Sequence, residues 1–189
     1  MSLLETPVKK DLIKTIDLGP FKHTVDHGVP IRKSAFNLLQ NIVNKYPIKQ
    51  SEIIDAVIGG FGDSNDDVQV LCFGFMNRLI VACPMIVISK LDLVVDKFNL
   101  FYAKISPKFK NNSQSERELN LMRSILRVTE ALQRNPESLS NPTFQQWHNM
   151  SILENVDIPI IRELYEKIAS SSTQVLVWMQ LQPSNNPIW

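Results

Sequence analysis

Two histidines and an aspartate lie close together near the beginning of the chain. His23, Asp26 and His27 have the residue types that bind zinc, and histidines four positions apart on a helix can face one ion. A Gly-Pro pair and a glycine border the segment, no fourth ligand is evident in the neighbouring sequence, and Asp26 has a place in a repeat described below. We therefore interpret the segment as structural and expect no bound metal and no cofactor.

The most basic stretch of the sequence contains six lysines and arginines, namely Lys104, Lys108, Lys110, Arg117, Arg123 and Arg127. A solvated helix face is the simplest interpretation, and a surface for an acidic patch on a protein partner is the functional alternative. Nucleic acid is disfavoured as a partner because no stacking aromatic pattern accompanies the charges and Glu116, Glu118 and Glu130 dilute them. These six residues are the candidate partner-binding residues.

Composition argues against several other functions. The 189 residues include 20 basic and 19 acidic side chains, so the chain has no general attraction to nucleic acid or anionic membranes. No nucleophile elbow, phosphate-binding glycine loop or Cys-x-x-Cys pair is present, and no stretch approaches the roughly 18 apolar residues of a membrane helix. We expect a soluble intracellular protein that is not an enzyme and has no small-molecule substrate.

The two cysteines, Cys72 and Cys83, are 11 positions apart. If they share a helix, they lie roughly 16 Å apart at about 1.5 Å per residue. That distance is too long for a disulfide, so both are expected to be buried thiols.

Apolar residues recur at helical spacing along most of the chain, which indicates helices to position these residues. A first helix is predicted from Pro7 to Leu18, with Leu12 and Ile16 on one face, and a short helical piece from Phe21 to Val25. A helix from Pro30 to Asn44 is predicted to bury a stripe that consists of Ile31, Ala35, Leu38 and Ile42.

The rest of the chain shows the same organisation. Further helices are predicted from Ser51, from Asp66 to Ala82, through an amphipathic stretch from Val87 to Ile105, from a Ser115–Glu118 capping box to Asn135, over Thr143 to Met150, and from Asp157 onward. Composition predicts a loop from Ser106 to Gln114.

An internal repeat relates two of these segments. Residues 26–47 align without a gap on residues 63–84, an offset of 63 − 26 = 37. The alignment pairs Asp26 with Asp63, Ile31 with Val68, Phe36 with Phe73, Leu38 with Phe75, Ile42 with Leu79 and Pro47 with Pro84. Paired helices at such a spacing are typical of HEAT and armadillo repeats, which stack into a continuous core. The sequence thus predicts an all-α, right-handed α-solenoid of about four HEAT-type helix pairs in residues 1–170, with a divergent, poorly ordered tail at 171–189.

One charged residue of the repeat has a predicted structural role. Arg32 stands where a HEAT unit typically carries arginine, and it could reach the turn aspartate of the stacked neighbour. The second unit has Gln69 at the same position, so this interaction is not repeated. Asp26, Ile31, Arg32 and Phe36, with Asp63, Val68 and Phe73, form the predicted repeat framework.

Residues 8–36, VKKDLIKTIDLGPFKHTVDHGVPIRKSAF, closely resemble the C-terminal region of the family of cullin-associated and neddylation-dissociated proteins. The resemblance continues through LCFGFMNRLIVACPMIVISKLDLVV and ELNLMRSILRVTEAL and covers roughly residues 4–169. It implies a non-catalytic HEAT segment that binds a cullin lacking the ubiquitin-like modifier, together with its RING-box subunit. The segment would thereby regulate the assembly and substrate-receptor exchange of cullin-RING ubiquitin ligases, and we expect cytoplasmic and nuclear localisation.

Two departures from the family keep another interpretation open. A β-hairpin that helps family members to displace the adaptor is expected to lie upstream and to be missing here, and the sequence after Ser170 matches nothing familiar. A general HEAT adaptor for a transport or transcription complex is the alternative. An uncapped solenoid would also expose an apolar face, expected around Leu12 and Ile16, and would self-associate.

Overall fold

A computed structural model describes residues 12–17, 19, 22–43, 45, 50–111, 113–155 and 157–181, with the backbone alone at 23 and 173–181. Two strands form an antiparallel hairpin and are followed by helices. The elements are β1 (Ile13–Asp17), β2 (Lys22–Asp26), α1 (Val29–Ile42), α2 (Gln50–Gly60), α3 (Asp66–Ala82), α4 (Pro84–Ile88), α5 (Leu91–Lys110), α6 (Glu116–Gln133), α7 (Pro142–His148) and α8 (Pro159–Leu181). The predicted helical class is confirmed.

The helices form two layers. In the first layer α1 packs against α3, α3 against α6, and α6 against α8. In the second layer α2 lies beside α4 and α5, and α5 lies beside α7. Each pair buries its apolar face only by stacking on the next pair, which is the arrangement of a HEAT-type solenoid. The predicted solenoid is therefore confirmed.

The core is continuous between the layers and rich in aromatic rings. Phe61 stacks on Phe73 with their ring centroids 4.3 Å apart, and Phe98 contacts Trp147 at 5.0 Å. All six residues of the predicted amphipathic stretch are buried: Val87, Leu91, Val94, Phe98, Phe101 and Ile105. Both cysteines are also buried and form no disulfide with each other, as predicted.

The 37-residue offset is present in the structure, since α1 begins at Val29 and α3 begins at Asp66. The predicted burial is wrong for two residues of the α1 stripe, because Ile31 and Leu38 are 57% and 59% exposed, while Ala35 and Ile42 are partly buried. The face of α1 that packs inward lies one position further along and consists of Arg32, Phe36, Leu39 and Val43.

A difference in neighbours explains the exposed stripe. The residues of α3 that align with the predicted stripe are Val68, Cys72, Phe75 and Leu79, and each of them is fully buried. Helix α3 has α1 on one side and α6 on the other, whereas α1 packs against α3 alone among the first-layer helices that the structure describes. The apolar stripe is therefore buried on α3, whereas the equivalent stripe on α1 faces solvent.

Local signals fix the ends of several helices. The Asn65 side chain accepts hydrogen bonds from the backbone amides of Asp67 and Val68 and caps α3. Ser115 and Glu118 form the predicted capping box at the start of α6. These contacts satisfy amides at the first turn that have no partner within the helix.

Three predicted segments are wrong. Residues 13–17 and 22–25 are strands rather than helices, because Ile13–Asp17 pairs with Lys22–Asp26 in an antiparallel ladder. The turn between the strands includes Gly19 at φ +81°, a conformation that favours glycine. The predicted loop from Ser106 is helical as far as Lys110, where the buried side chain of Phe109 anchors the last turn of α5.

Some expectations fall on residues that the structure leaves undescribed. The segment 1–11, with Pro7, and residues Leu18 and Phe21 lie outside the described residues. Helix α8 continues past Ser170 to Leu181, and the division into 1–170 and 171–189 stays a prediction. Within the described residues, no helix is both long enough and apolar enough to cross a membrane.

Candidate interaction surfaces

Arg32 joins the hairpin to two successive repeats. Its Nε and Nη2 atoms donate to the two carboxylate oxygens of Asp63 at 2.7 and 2.9 Å, and Nη2 also donates to Asp26 Oδ2 at 2.9 Å. The side chains of Arg32 and Asp63 are only 8% and 7% exposed. The contact expected between Arg32 and the turn aspartate of the neighbouring unit is thus present.

The charges of this junction support one another. Hydrogen bonding to Asp63 raises the pKa of Arg32, so the guanidinium remains protonated despite its burial. The hydrogen bond from Arg32 holds the pKa of Asp26 below its ordinary value, against the opposing effect of burial. In the second unit Gln69 occupies the position of Arg32 and donates from its side chain to the main-chain oxygen of Asp63.

The hairpin extends from this junction. Every residue of β1 is exposed, and Ile13 and Ile16 are apolar residues on its surface. Its base is fixed by the Asp26–Arg32 ion pair and by a backbone hydrogen bond of 2.9 Å from His27 N to Leu12 O. The described residues therefore contain a hairpin of their own, while the expected loss of the family's upstream hairpin stays a prediction.

The hairpin also changes the interpretation of the His-Thr-Val-Asp-His segment. His23 lies on a strand rather than on a helix. The carboxylate of Asp26 already accepts hydrogen bonds from the Arg32 side chain and from the Gly28 amide. Four residues along a strand span about 13 Å, so the helical spacing of two ligands is lost. The described residues contain no group of three or more metal-ligating side chains.

The six candidate basic residues divide between two helices in different layers. Lys104, Lys108 and Lys110 lie on α5, where Lys108 pairs with Glu118 and Lys110 pairs with Asp157 at 2.6 Å. Arg117, Arg123 and Arg127 lie on α6. Arg123 is paired with Glu116 at 2.8 Å, while Arg117 and Arg127 have no acidic partner among the described residues.

Two open hollows border α6 on the first layer. One, of about 530 Å³, lies towards α3, and its lining includes Lys33, Asp66, Asp67, Val70, Arg117, Arg123 and Arg127. The other, of about 420 Å³, lies towards α8 and is lined by Arg123, Arg127, Leu164, Lys167, Ile168, Ser171 and Ser172. Arg123 and Arg127 border both hollows, so α6 forms a basic ridge between them.

Sequence reasoning missed the hairpin and the two lysines that join this ridge. The hairpin had a local signal, since the β-branched runs IKTID and KHTVD flank a short segment with Gly and Pro. Lys33 and Lys167 carried no such signal, because helix packing brings them to Arg123 and Arg127.

The amino-acid sequence is similar to a family of known proteins. A family model described as "TATA-binding protein interacting (TIP20)" matches residues 2–152. The chain is 30% identical over 172 residues to cullin-associated NEDD8-dissociated protein 2 of Mus musculus, which covers 88% of this chain and 14% of the mouse protein. It is 31% identical over 176 residues to cullin-associated NEDD8-dissociated protein 1 of Drosophila melanogaster, covering 89% of this chain and 13% of the fly protein.

The similarity extends to plants. Cullin-associated NEDD8-dissociated protein 1 of Arabidopsis thaliana is 33% identical over 135 residues, which is 69% of this chain and 11% of that protein. The chain thus spans about one seventh or less of the length of these relatives. Because the family model covers most of the chain, the protein belongs to the family of the cullin-associated NEDD8-dissociated proteins.

Proposed function

We propose that the chain is a non-catalytic HEAT-repeat segment that binds unmodified cullin–RING-box scaffolds. By occupying the scaffold it would regulate the assembly of cullin-RING ubiquitin ligases and the exchange of their substrate receptors. Membership of a family whose members are named for association with cullins carries the proposal. This regulation would take place in the cytoplasm and the nucleus.

The architecture suits a steric mechanism. A two-layer stack of helices offers a long, rigid surface to a partner, and no bond needs to be made or broken. The exposed hairpin adds a projecting apolar element through Ile13 and Ile16, held at its base by Arg32. Exposed apolar residues on a protruding element are typical of protein interaction sites. The hairpin is our candidate for the element that competes with the adaptor.

Co-elution tests the proposal. The chain is mixed with an unmodified cullin bound to its RING-box subunit, and the mixture is separated by size-exclusion chromatography. We expect a shared peak that is lost when the cullin carries its ubiquitin-like modifier. A matched variant, Ile13→Ser with Ile16→Ser, should bind the scaffold more weakly and compete less with the adaptor. If the chain elutes separately, even together with the preceding repeats of a full-length relative, the proposal is wrong.

A second candidate is an adaptor for a transcription complex, which the description of the matching family model favours, since it names the TATA-binding protein. Crosslinking in cells followed by identification of the captured proteins separates the two functions. Recovery of the TATA-binding protein without cullins would support this candidate, and recovery of cullins alone would exclude it.

A further inference from the structure

The hollow between α6 and α8, which we call the α6–α8 hollow, has an unusual combination of linings. Three cations, Arg123, Arg127 and Lys167, surround it, and none of its described lining residues is acidic. The apolar part comes from Leu164 and Ile168, which are half-buried against the core. The hollow therefore offers an apolar floor with a basic rim.

The charges of the rim are largely free to meet a partner. Arg127 and Lys167 are exposed and have no acidic partner among the described residues. Arg123 forms an ion pair with the exposed Glu116 and donates a hydrogen bond to Asn120 Oδ1 at 2.8 Å. The hollow on the other side of α6 differs, because Asp66 and Asp67 line it and Asp67 pairs with Lys33 at 3.2 Å. Positive charge is thus concentrated on the α8 side of the ridge.

From this geometry we infer that the α6–α8 hollow binds an acidic amphipathic helix of the protein partner. Aliphatic side chains of that helix would sit on Leu164 and Ile168, and its carboxylates would face Arg123, Arg127 and Lys167. An apolar floor holds the apolar face of such a helix, and the arginines of the rim suit carboxylates because each can donate two parallel hydrogen bonds. The identity of the partner as a cullin rests on the proposed function, while the chemistry of the hollow does not.

A charge-reversal pair tests the inference. Arg127→Glu reverses a charge on the rim, and Arg78→Glu is the matched control, because Arg78 is an exposed arginine on α3 that lines neither hollow. Lys167→Glu is a second rim variant in case the first one folds poorly, and thermal unfolding checks each fold. Binding is measured to the cullin–RING-box scaffold and to a labelled helical peptide with glutamates on one face and leucines on the adjacent face.

We expect the Kd of the rim variants for both ligands to rise about tenfold, because opposed charges become like charges, while Arg78→Glu stays near the wild type. Raising NaCl from about 50 to about 300 mM should weaken ligand binding by the wild type more than binding by the rim variants.

Scaffold binding that is equally strong in the rim variants and in the control would refute binding at the hollow and leave the proposed function standing. Peptide binding that depends on Lys167, which lines only this hollow, without any scaffold binding would support the hollow and refute the cullin as partner. The inference is overturned if the wild type binds neither the scaffold nor the peptide. It is also overturned if the wild type binds duplex DNA more tightly than the peptide in a way that depends on Arg127.

Discussion

Arg32 and Asp63 meet through two parallel hydrogen bonds of 2.7 and 2.9 Å, although 31 positions separate them in the sequence. The bidentate geometry fixes the first helix of one repeat against the turn that precedes the first helix of the next. Because Arg32 also holds Asp26, the same side chain sets where the hairpin leaves the solenoid.

Replacement of Arg32 by Met should reduce the free energy of unfolding by about 3 kcal/mol, because it leaves the buried carboxylate of Asp63 unpaired. Lys33→Met is the matched control: Lys33 pairs with Asp67 at the surface, so it should cost less than about 1 kcal/mol. Urea unfolding measures both variants at neutral pH. Equal costs would show that the junction contributes no more than a surface ion pair.

The same junction predicts a dependence on acid. The pKa of Asp26 is lowered in the folded state, so the stability that Asp26 contributes is present above its ordinary value of 3.8 and is lost as the pH falls through the folded value. The difference between wild type and Arg32→Met should therefore shrink below about pH 3.8. A difference that stays constant in acid would contradict this assignment.

Two neighbouring glycines of α2 should respond oppositely to alanine. A Cβ at Gly59 meets nothing within 4 Å, so Gly59→Ala should stabilise the protein by up to about 1 kcal/mol through helix propensity. A Cβ at Gly60 overlaps Cys72 Sγ and comes within 3.0 Å of Phe36 Cζ. Gly60→Ala should therefore destabilise by about 1–3 kcal/mol, as overpacked cores do. Thermal unfolding of the two variants is the test, and stabilisation by both would mean that the two repeats are not in close contact there.

The exposed stripe of α1 should drive self-association. Ile31→Lys with Leu38→Lys removes two exposed apolar side chains and should shift the protein towards monomer in sedimentation velocity, with little change in melting temperature. Leu93→Lys with Leu100→Lys is a control with the same spacing on α5, where the side chains are 51% and 68% exposed. If the control pair has the same effect, association is due to general hydrophobicity rather than to the stripe.

His148 should make stability depend on pH near neutrality. It is buried, contacts Tyr165 edge-on with centroids 5.2 Å apart, and has no hydrogen-bond partner at Nε2 among the described residues. Burial lowers its pKa below 6.5, against a smaller opposing effect of Asn149. As the pH falls below 6.5 the unfolded chain binds this proton first, so stability decreases, by at most about 1.4 kcal/mol per pH unit.

The neutral variant His148→Gln isolates this effect. Its free energy of unfolding should change less than that of the wild type between about pH 7.5 and about pH 5.5, because the other titrating groups are common to both proteins. Parallel losses in the two proteins would assign the pH dependence to groups other than His148.

Sequence patterns alone were enough to predict the helices after residue 28 and the repeat. Helical spacing located the buried residues of α5, the capping box marked the start of α6, and the 37-residue offset aligned α1 with α3. These features depend on side chains within one helix or one turn, where spacing along the chain gives position directly. The family could be inferred from the same local segments.

Which helix faces are covered and which charges form ion pairs depends on how the elements pack against one another. Ile31 and Val68 are equivalent in sequence, yet only Val68 has a helix against it. Arg32 is buried because Asp26 and Asp63 come to it from other elements, and Lys167 reaches the basic ridge of α6 only because α8 packs there. Helical periodicity indicates which apolar residues share one face of a helix. Whether that face is buried depends on whether a neighbouring helix packs against it.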